Sequence, residues 1–221
     1  MRIKDEFRLS DDSVGALFLD SREAAQGLVG NVFPEALLAN LGSFQLHLPQ
    51  DPAILIDYLK TDRIPDIDEK SLPPGLKMKA GAFVTLKKSG DLRGCIGHFE
   101  ADYPLYTIVQ KMAVASSTQD YRFSQVTPAE LEQIDIEISV LTPMQKINDV
   151  KSIRLGIDGI YIKKGSRAGT FLPQVATDTG WTLDEFLGHC ARDKAGIGWD
   201  GWKDKDVEIF IYQAFVFGEK E

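Results

Sequence analysis

Residues 91–98 read Asp-Leu-Arg-Gly-Cys-Ile-Gly-His. In an extended strand, Arg93, Cys95 and Gly97 share one face, and Leu92, Gly94 and Ile96 share the other. Arg93 and Cys95 are then roughly 7 Å apart, from a rise of about 3.4 Å per residue. A guanidinium at that range favours thiolate, the form of cysteine that acts as nucleophile or ligand. Cys95 reads as a nucleophile or covalent carrier, with Arg93 as its activator or as an anion clamp. Gly94 and Gly97 leave bare backbone that a ligand can approach, with room beside the sulfur. The same residues also fit a buried cysteine packed as a small hydrophobe, with Arg93 in solvent or paired with an acid. Local pattern leaves both readings open.

Three histidines are present, His47, His98 and His189. His98 falls on the strand face opposite Cys95, so His189 is the distal candidate for a base. Cys95, His98, His189 and Cys190 also make a formal four-ligand set for zinc. Adjacent helical residues point about 100° apart, however, and Cys190 continues the apolar stripe of Leu183, Phe186 and Leu187. No metal site is therefore expected. The sequence has no G-x-S-x-G, no phosphate-binding loop, no G-x-G-x-x-G and no H-E-x-x-H, and no cofactor is expected. Asp120 and Arg122 follow a helical stretch and read as the polar wall of a pocket or as a loop brace. Thr170 and Gln174 read as substrate contacts, as residues that orient His189, or as partners of backbone groups at a chain reversal.

The chain has 221 residues, is 43% hydrophobic and carries a net charge of −8. That is enough apolar material for a sizeable core without disulfide or metal support. The acidic balance argues against a general nucleic-acid binder, which needs a basic face. The cluster of Lys163, Lys164 and Arg167 reads as solvated surface. Two cysteines far apart in sequence form no disulfide framework. The N-terminus lacks the apolar run of a signal peptide, and no stretch reaches the roughly 20 apolar residues of a membrane helix. A cytoplasmic location is expected.

Several elements must hold these residues in place. Residues 11–28 read as a helix, "ALLANL" as helical, "FQLHL" as a strand and "DPAILIDYLK" as a helix capped by Asp51. A proline-punctuated linker follows. Residues 81–88 and 91–99 alternate around "KSGD" and predict a hairpin. The stretch 103–118 has helical spacing. Thr127 and Glu130 form a capping box over a short helix, and Thr182 and Glu185 form another, with Gly196 as its stop. "IDIEISVL" alternates strictly, "GIDGIYIKKG" predicts a strand, and "DVEIFIYQAFVF" reads as one long closing strand. Mixed helices and antiparallel strands make the class α+β.

The runs "LRGCIGHF", "DYRF", "EISVL", "GIDGI", "TFLPQVA" and "FLGHCARDKAG" occur in one order. With them the chain resembles the AMMECR family, whose prokaryotic members include the AmmeMemoRadiSam system protein A. The resemblance covers about residues 80–217 and the helix at 11–28. It implies a large lobe (81–217) with a mainly antiparallel sheet flanked by helices, and a smaller, mainly helical lobe (29–80). It also implies a shared surface around Arg93–Gly97. Family members usually carry a hydroxyl residue where His98 stands and Asp-Pro where Asp120-Tyr121 stands. The implied partners are a Memo-like protein and a radical SAM protein; a small-molecule ligand and a homodimer are compatible with the sequence. Two functions stay open: a binding or adaptor component with its ligand site at the Arg93–Cys95 strand, or an enzyme with Cys95 as nucleophile.

Overall fold

Ser89 and Gly90 both take positive φ, 54° and 88°. That backbone twist suits a two-residue hairpin turn. It joins β1 (Ala82–Lys88) to β2 (Asp91–His98) as an antiparallel pair, with Thr85 opposite Cys95 and Phe83 opposite Gly97. The computed structural model describes residues 53–218. The expected elements at 11–28, "ALLANL" and "FQLHL", together with His47, Asp51 and Pro52, lie outside them. The chain is α+β, with two antiparallel sheets and several helices.

The first sheet contains β1, β2, β3 (Ile134–Leu141) and β8 (Ala214–Gly218), in the order β2-β1-β3-β8. The strict alternation in β3 places Ile138 and Val140 in the core. Three helices serve this core: α1 (Ala53–Thr61), α2 (Pro74–Lys77) and α3 (Leu105–Thr118). Leu55 of α1, Leu76 of α2 and Leu105, Ile108, Val109 and Ala113 of α3 pack with Val84, Leu86 and Val140. Leu72 and Leu76, from the stretch read as an accessory lobe, thus belong to the same core as the first sheet.

The second sheet has the order β4-β7-β5-β6, from β4 (Gln145–Ile147), β5 (Gly159–Lys164), β6 (Arg167–Phe171) and β7 (Glu208–Tyr212). It has its own core, in which Ile160, Ile162, Phe171 and Ile209 meet Phe186, Leu187 and Cys190. The latter come from α5 (Leu183–His189) and the π turn Cys190–Lys194 that extends it. Between β6 and α5 lies the short α4 (Gln174–Thr179). The 81–217 region therefore holds two sheets with two cores.

The closing apolar run is not one strand. It divides at Gln213 into β7 of the second sheet and β8 of the first. Thr142 and Gln213 clamp the division: the Gln213 N–H donates to Thr142 Oγ1 at 2.8 Å, and the Thr142 N–H donates to the Gln213 carbonyl at 2.9 Å. An uninterrupted apolar stretch says nothing about which partner strands it meets. Phe99 also joins the halves, with ring centroids 5.2 Å from Phe83, Tyr161 and Tyr212, each edge to face. Among the described residues, no helix is long and apolar enough to cross a membrane.

Candidate functional site

Cys95 lies near the middle of β2, an edge strand, so one side of its backbone faces away from the ladder. The loop after α3 closes that side. The Cys95 N–H donates to Asp120 Oδ2 at 2.9 Å, and Arg122 Nη2 donates to the Cys95 carbonyl at 3.2 Å. Three further bonds join Arg122 to Asp120: Nε to Oδ1 at 2.9 Å, Nη2 to Oδ2 at 2.7 Å and the Arg122 N–H to Oδ1 at 3.2 Å. Asp120 and Arg122 do pair, and they brace β2 as well as their own loop. The Asp120 side chain is only 2% exposed. Burial alone would raise its pKa, but the bonds from Arg122 and from the Cys95 N–H hold the carboxyl below its ordinary range. Tyr121, between them, is 95% exposed.

The thiol belongs to a polar row across the first sheet. Thr85 stands opposite both Cys95 and Glu137, and its hydroxyl donates to Cys95 Sγ at 3.3 Å. Lys87 Nζ binds Glu137 Oε2 at 2.8 Å, and Asp178 of α4 lies within electrostatic range of both. Partial burial pushes the Cys95 thiol up, and the charges of Asp120 and Glu137 add to that. The Thr85 hydrogen bond and Arg122 oppose it without reversing the direction. At neutral pH the resting thiol is protonated. The other cysteine, Cys190, is fully buried in the second core and pushed up to about 12 by burial.

Arg93 does not activate Cys95. The β1–β2 register shifts between Leu86 and Lys87, so that Gly94 faces Leu86 and Leu92 faces Lys87. Arg93 is the extra residue of this bulge, which breaks the strict alternation and redirects its side chain. The guanidinium binds Glu130 through Nε (3.1 Å) and Nη2 (3.2 Å), and the carbonyls of Ser124 (2.8 Å) and Gln125 (3.2 Å). Glu130 also accepts from the Thr127 N–H as the expected capping box. Arg93, Thr127 and Lys88 together hold its carboxyl far below the ordinary range. The cation acting on the thiol is Arg122.

The two glycines serve packing. A Cβ at Gly94 would lie 2.2 Å from the Ser116 carbonyl oxygen, so Gly94 lets α3 settle onto β2. The Ser116 hydroxyl then accepts from the Ile96 N–H and donates to the Val84 carbonyl. A Cβ at Gly97 would meet the Phe83 ring at 2.2–2.5 Å. The space expected beside the sulfur is filled by that ring.

His189 is not a base for Cys95. Its ring stacks on Trp181 at 3.9 Å and meets the edge of Trp199 at 4.9 Å, with Nδ1 2.8 Å from Asp193 Oδ2. With His189 and Cys190 held in the second half, the four-residue zinc set does not assemble. Thr170 lies 2.8 Å from the Tyr212 hydroxyl and donates to the Ile160 carbonyl at 2.8 Å. It satisfies backbone on the buried side of β6, where burial raises Tyr212. Gln174 opens α4, one turn before Asp178. In the basic stretch, Lys164 is paired with Asp204 at 2.6 Å and Asp206 at 3.3 Å.

The site residues that sequence reasoning missed are Thr85, Glu137, Lys87, Glu130 and Ser116. Alternation in β1 and β3 puts the first three on outward faces, but only strand register brings them to Cys95. The fold and site define a class: a two-sheet α+β protein with a cysteine-bearing edge strand sealed by an Asp–Arg loop. The profile of the AMMECR1 family matches residues 52–217, and the chain belongs to that family. It is 41% identical to a protein of Methanothermobacter thermautotrophicus over 167 residues, 72% of this chain and 84% of the relative. It is 39% identical to protein MK0488 of Methanopyrus kandleri over 196 residues, 85% and 92% of the two chains. The crystal structure of protein PH0010 from Pyrococcus horikoshii superposes with a TM-score of 0.74 at 34% identity. That match covers 86% of this chain and 94% of the other.

Proposed function

We propose that the protein is a binding or adaptor component whose docking surface is the β2 edge around Cys95. The observation that carries this reading is Tyr121, 95% exposed and flanked by two residues bonded to the Cys95 backbone. A large aromatic held on a braced loop contributes contact area at small entropic cost, which is why tyrosine is common among binding hot spots. The partners proposed are the Memo-like and radical SAM proteins, on the strength of the sequence resemblance. Tyr121→Ala should leave urea unfolding within about 0.5 kcal/mol of the parent, as surface changes do. It should weaken capture of a purified Memo-like protein at least tenfold. Unchanged capture of both partners by the variant would overturn the docking surface.

The enzyme reading requires a thiolate, and the surroundings of Cys95 favour the thiol. Alkylation by iodoacetamide against pH, read by peptide mass spectrometry, separates the two readings. The Cys95 midpoint should lie above the roughly 8.5 of a free thiol, and Cys190 should stay inert as internal control. A midpoint at or below 7 would restore Cys95 as nucleophile.

A further inference from the structure

β2 ends at His98, and residues 99–102 lie outside any strand. Phe99 points into the aromatic contacts with Phe83, Tyr161 and Tyr212, while His98, Glu100 and Asp102 gather elsewhere. One ligand atom from each, an imidazole nitrogen and two carboxylate oxygens, lies within 4.8 Å of the others. His98 Nε2 is already 2.9 Å from Asp102 Oδ1. Donors bound to one ion at about 2.0–2.2 Å sit roughly 3–4 Å apart, so a small closure of side chains brings the three to a common centre. All three side chains are at least partly open to solvent, so an ion has free access.

The donor chemistry is selective. Two carboxylates supply the charge for a divalent ion, and a carboxylate pair alone would suit magnesium or calcium. The imidazole shifts the preference to the zinc, copper, iron and nickel group, with cobalt as a spectroscopic substitute for zinc. Among the described residues Glu100 forms no salt bridge, and its carboxylate lies within 4.8 Å of that of Asp102. Three protein donors leave further coordination positions for water or an outside ligand. We propose that His98, Glu100 and Asp102 form a binding site for a divalent transition-metal ion, distinct from the four-residue set that the fold keeps apart. This proposal stands independently of the docking reading.

The test uses the full chain carrying Cys95→Ser, so that no accessible thiol competes, titrated with Zn²⁺ by calorimetry and with Co²⁺ by visible absorption. One equivalent should bind, and His98→Ala and Asp102→Asn should each weaken it at least tenfold. In the same parent, Zn²⁺ should shift the His98 ring signals in the NMR spectrum, a readout that needs no further substitution if a variant folds poorly. Absence of binding at 1 mM metal, or equal affinity in both variants with His98 signals unmoved, would overturn the site.

Discussion

Gly94→Ala should destabilise the protein by about 3 kcal/mol, toward the upper end of overpacking substitutions. The new methyl carbon would sit 2.2 Å from the Ser116 carbonyl oxygen and 3.1 Å from its carbon. Both are backbone atoms in the last turn of α3, so no side-chain rotation relieves the contact. Helix and strand must separate, and the Ser116 bridge stretches with them, from 2.9 Å to the Ile96 N–H and 2.7 Å to the Val84 carbonyl. For a chain of this size, about 3 kcal/mol lowers Tm by roughly 6–12 °C. Gly97→Ala meets the Phe83 ring instead, and combination with Phe83→Leu should recover part of its loss. Trimming neighbours of Gly94→Ala should recover none. A Gly94→Ala variant that melts within 2 °C of the parent would show that α3 and β2 are not in the close contact described.

Asp120→Ala should destabilise by about 2–4 kcal/mol at pH 7, as expected for breaking a buried, charge-assisted network. The change leaves the Cys95 N–H without its acceptor and Arg122 without its partner. Arg122→Ala should cost less, about 1–2 kcal/mol: the guanidinium is 36% exposed, so water replaces it beside Asp120, which keeps the bond from the Cys95 N–H. The Asp120 carboxyl titrates below its unfolded value. Its stabilisation is therefore fully present above the unfolded pKa of about 4 and fades as pH falls through the folded pKa. Urea unfolding of parent and Asp120→Ala should differ more at pH 7 than near pH 2.5. An equal difference at both pH values would mean that the carboxylate's charge contributes nothing to the brace.

The bulge at Arg93 changes the chemistry of the strand. Perfect alternation would place a guanidinium beside the sulfur and favour thiolate. One extra residue sends that guanidinium to Glu130 and the 124–125 carbonyls, and a different arginine, already neutralised by Asp120, reaches the cysteine instead. The local field then leaves the thiol protonated. Edge strands need protection from stray pairing, and here the Asp120–Arg122 loop both supplies it and presents Tyr121.

Local pattern alone determined much of this protein. The Ser89-Gly90 turn and its flanking alternation specify the hairpin, because the side-chain period and the turn's backbone twist are short-range properties. The helical spacing of 105–118, the alternation of 134–141 and both Thr–Glu capping boxes are legible for the same reason. Family membership was legible too, because the Arg-Gly-Cys-Ile-Gly run and its companion motifs are read in order along the chain. Only the tertiary structure decided that the closing apolar run splits at Gln213, that Phe83 covers Gly97, that His189 stacks between tryptophans and that Asp120 and Arg122 close on Cys95. Each of these depends on strand register or on contacts made only when the chain folds back on itself. A one-residue shift in register changes every such contact while leaving composition and most of the periodicity untouched.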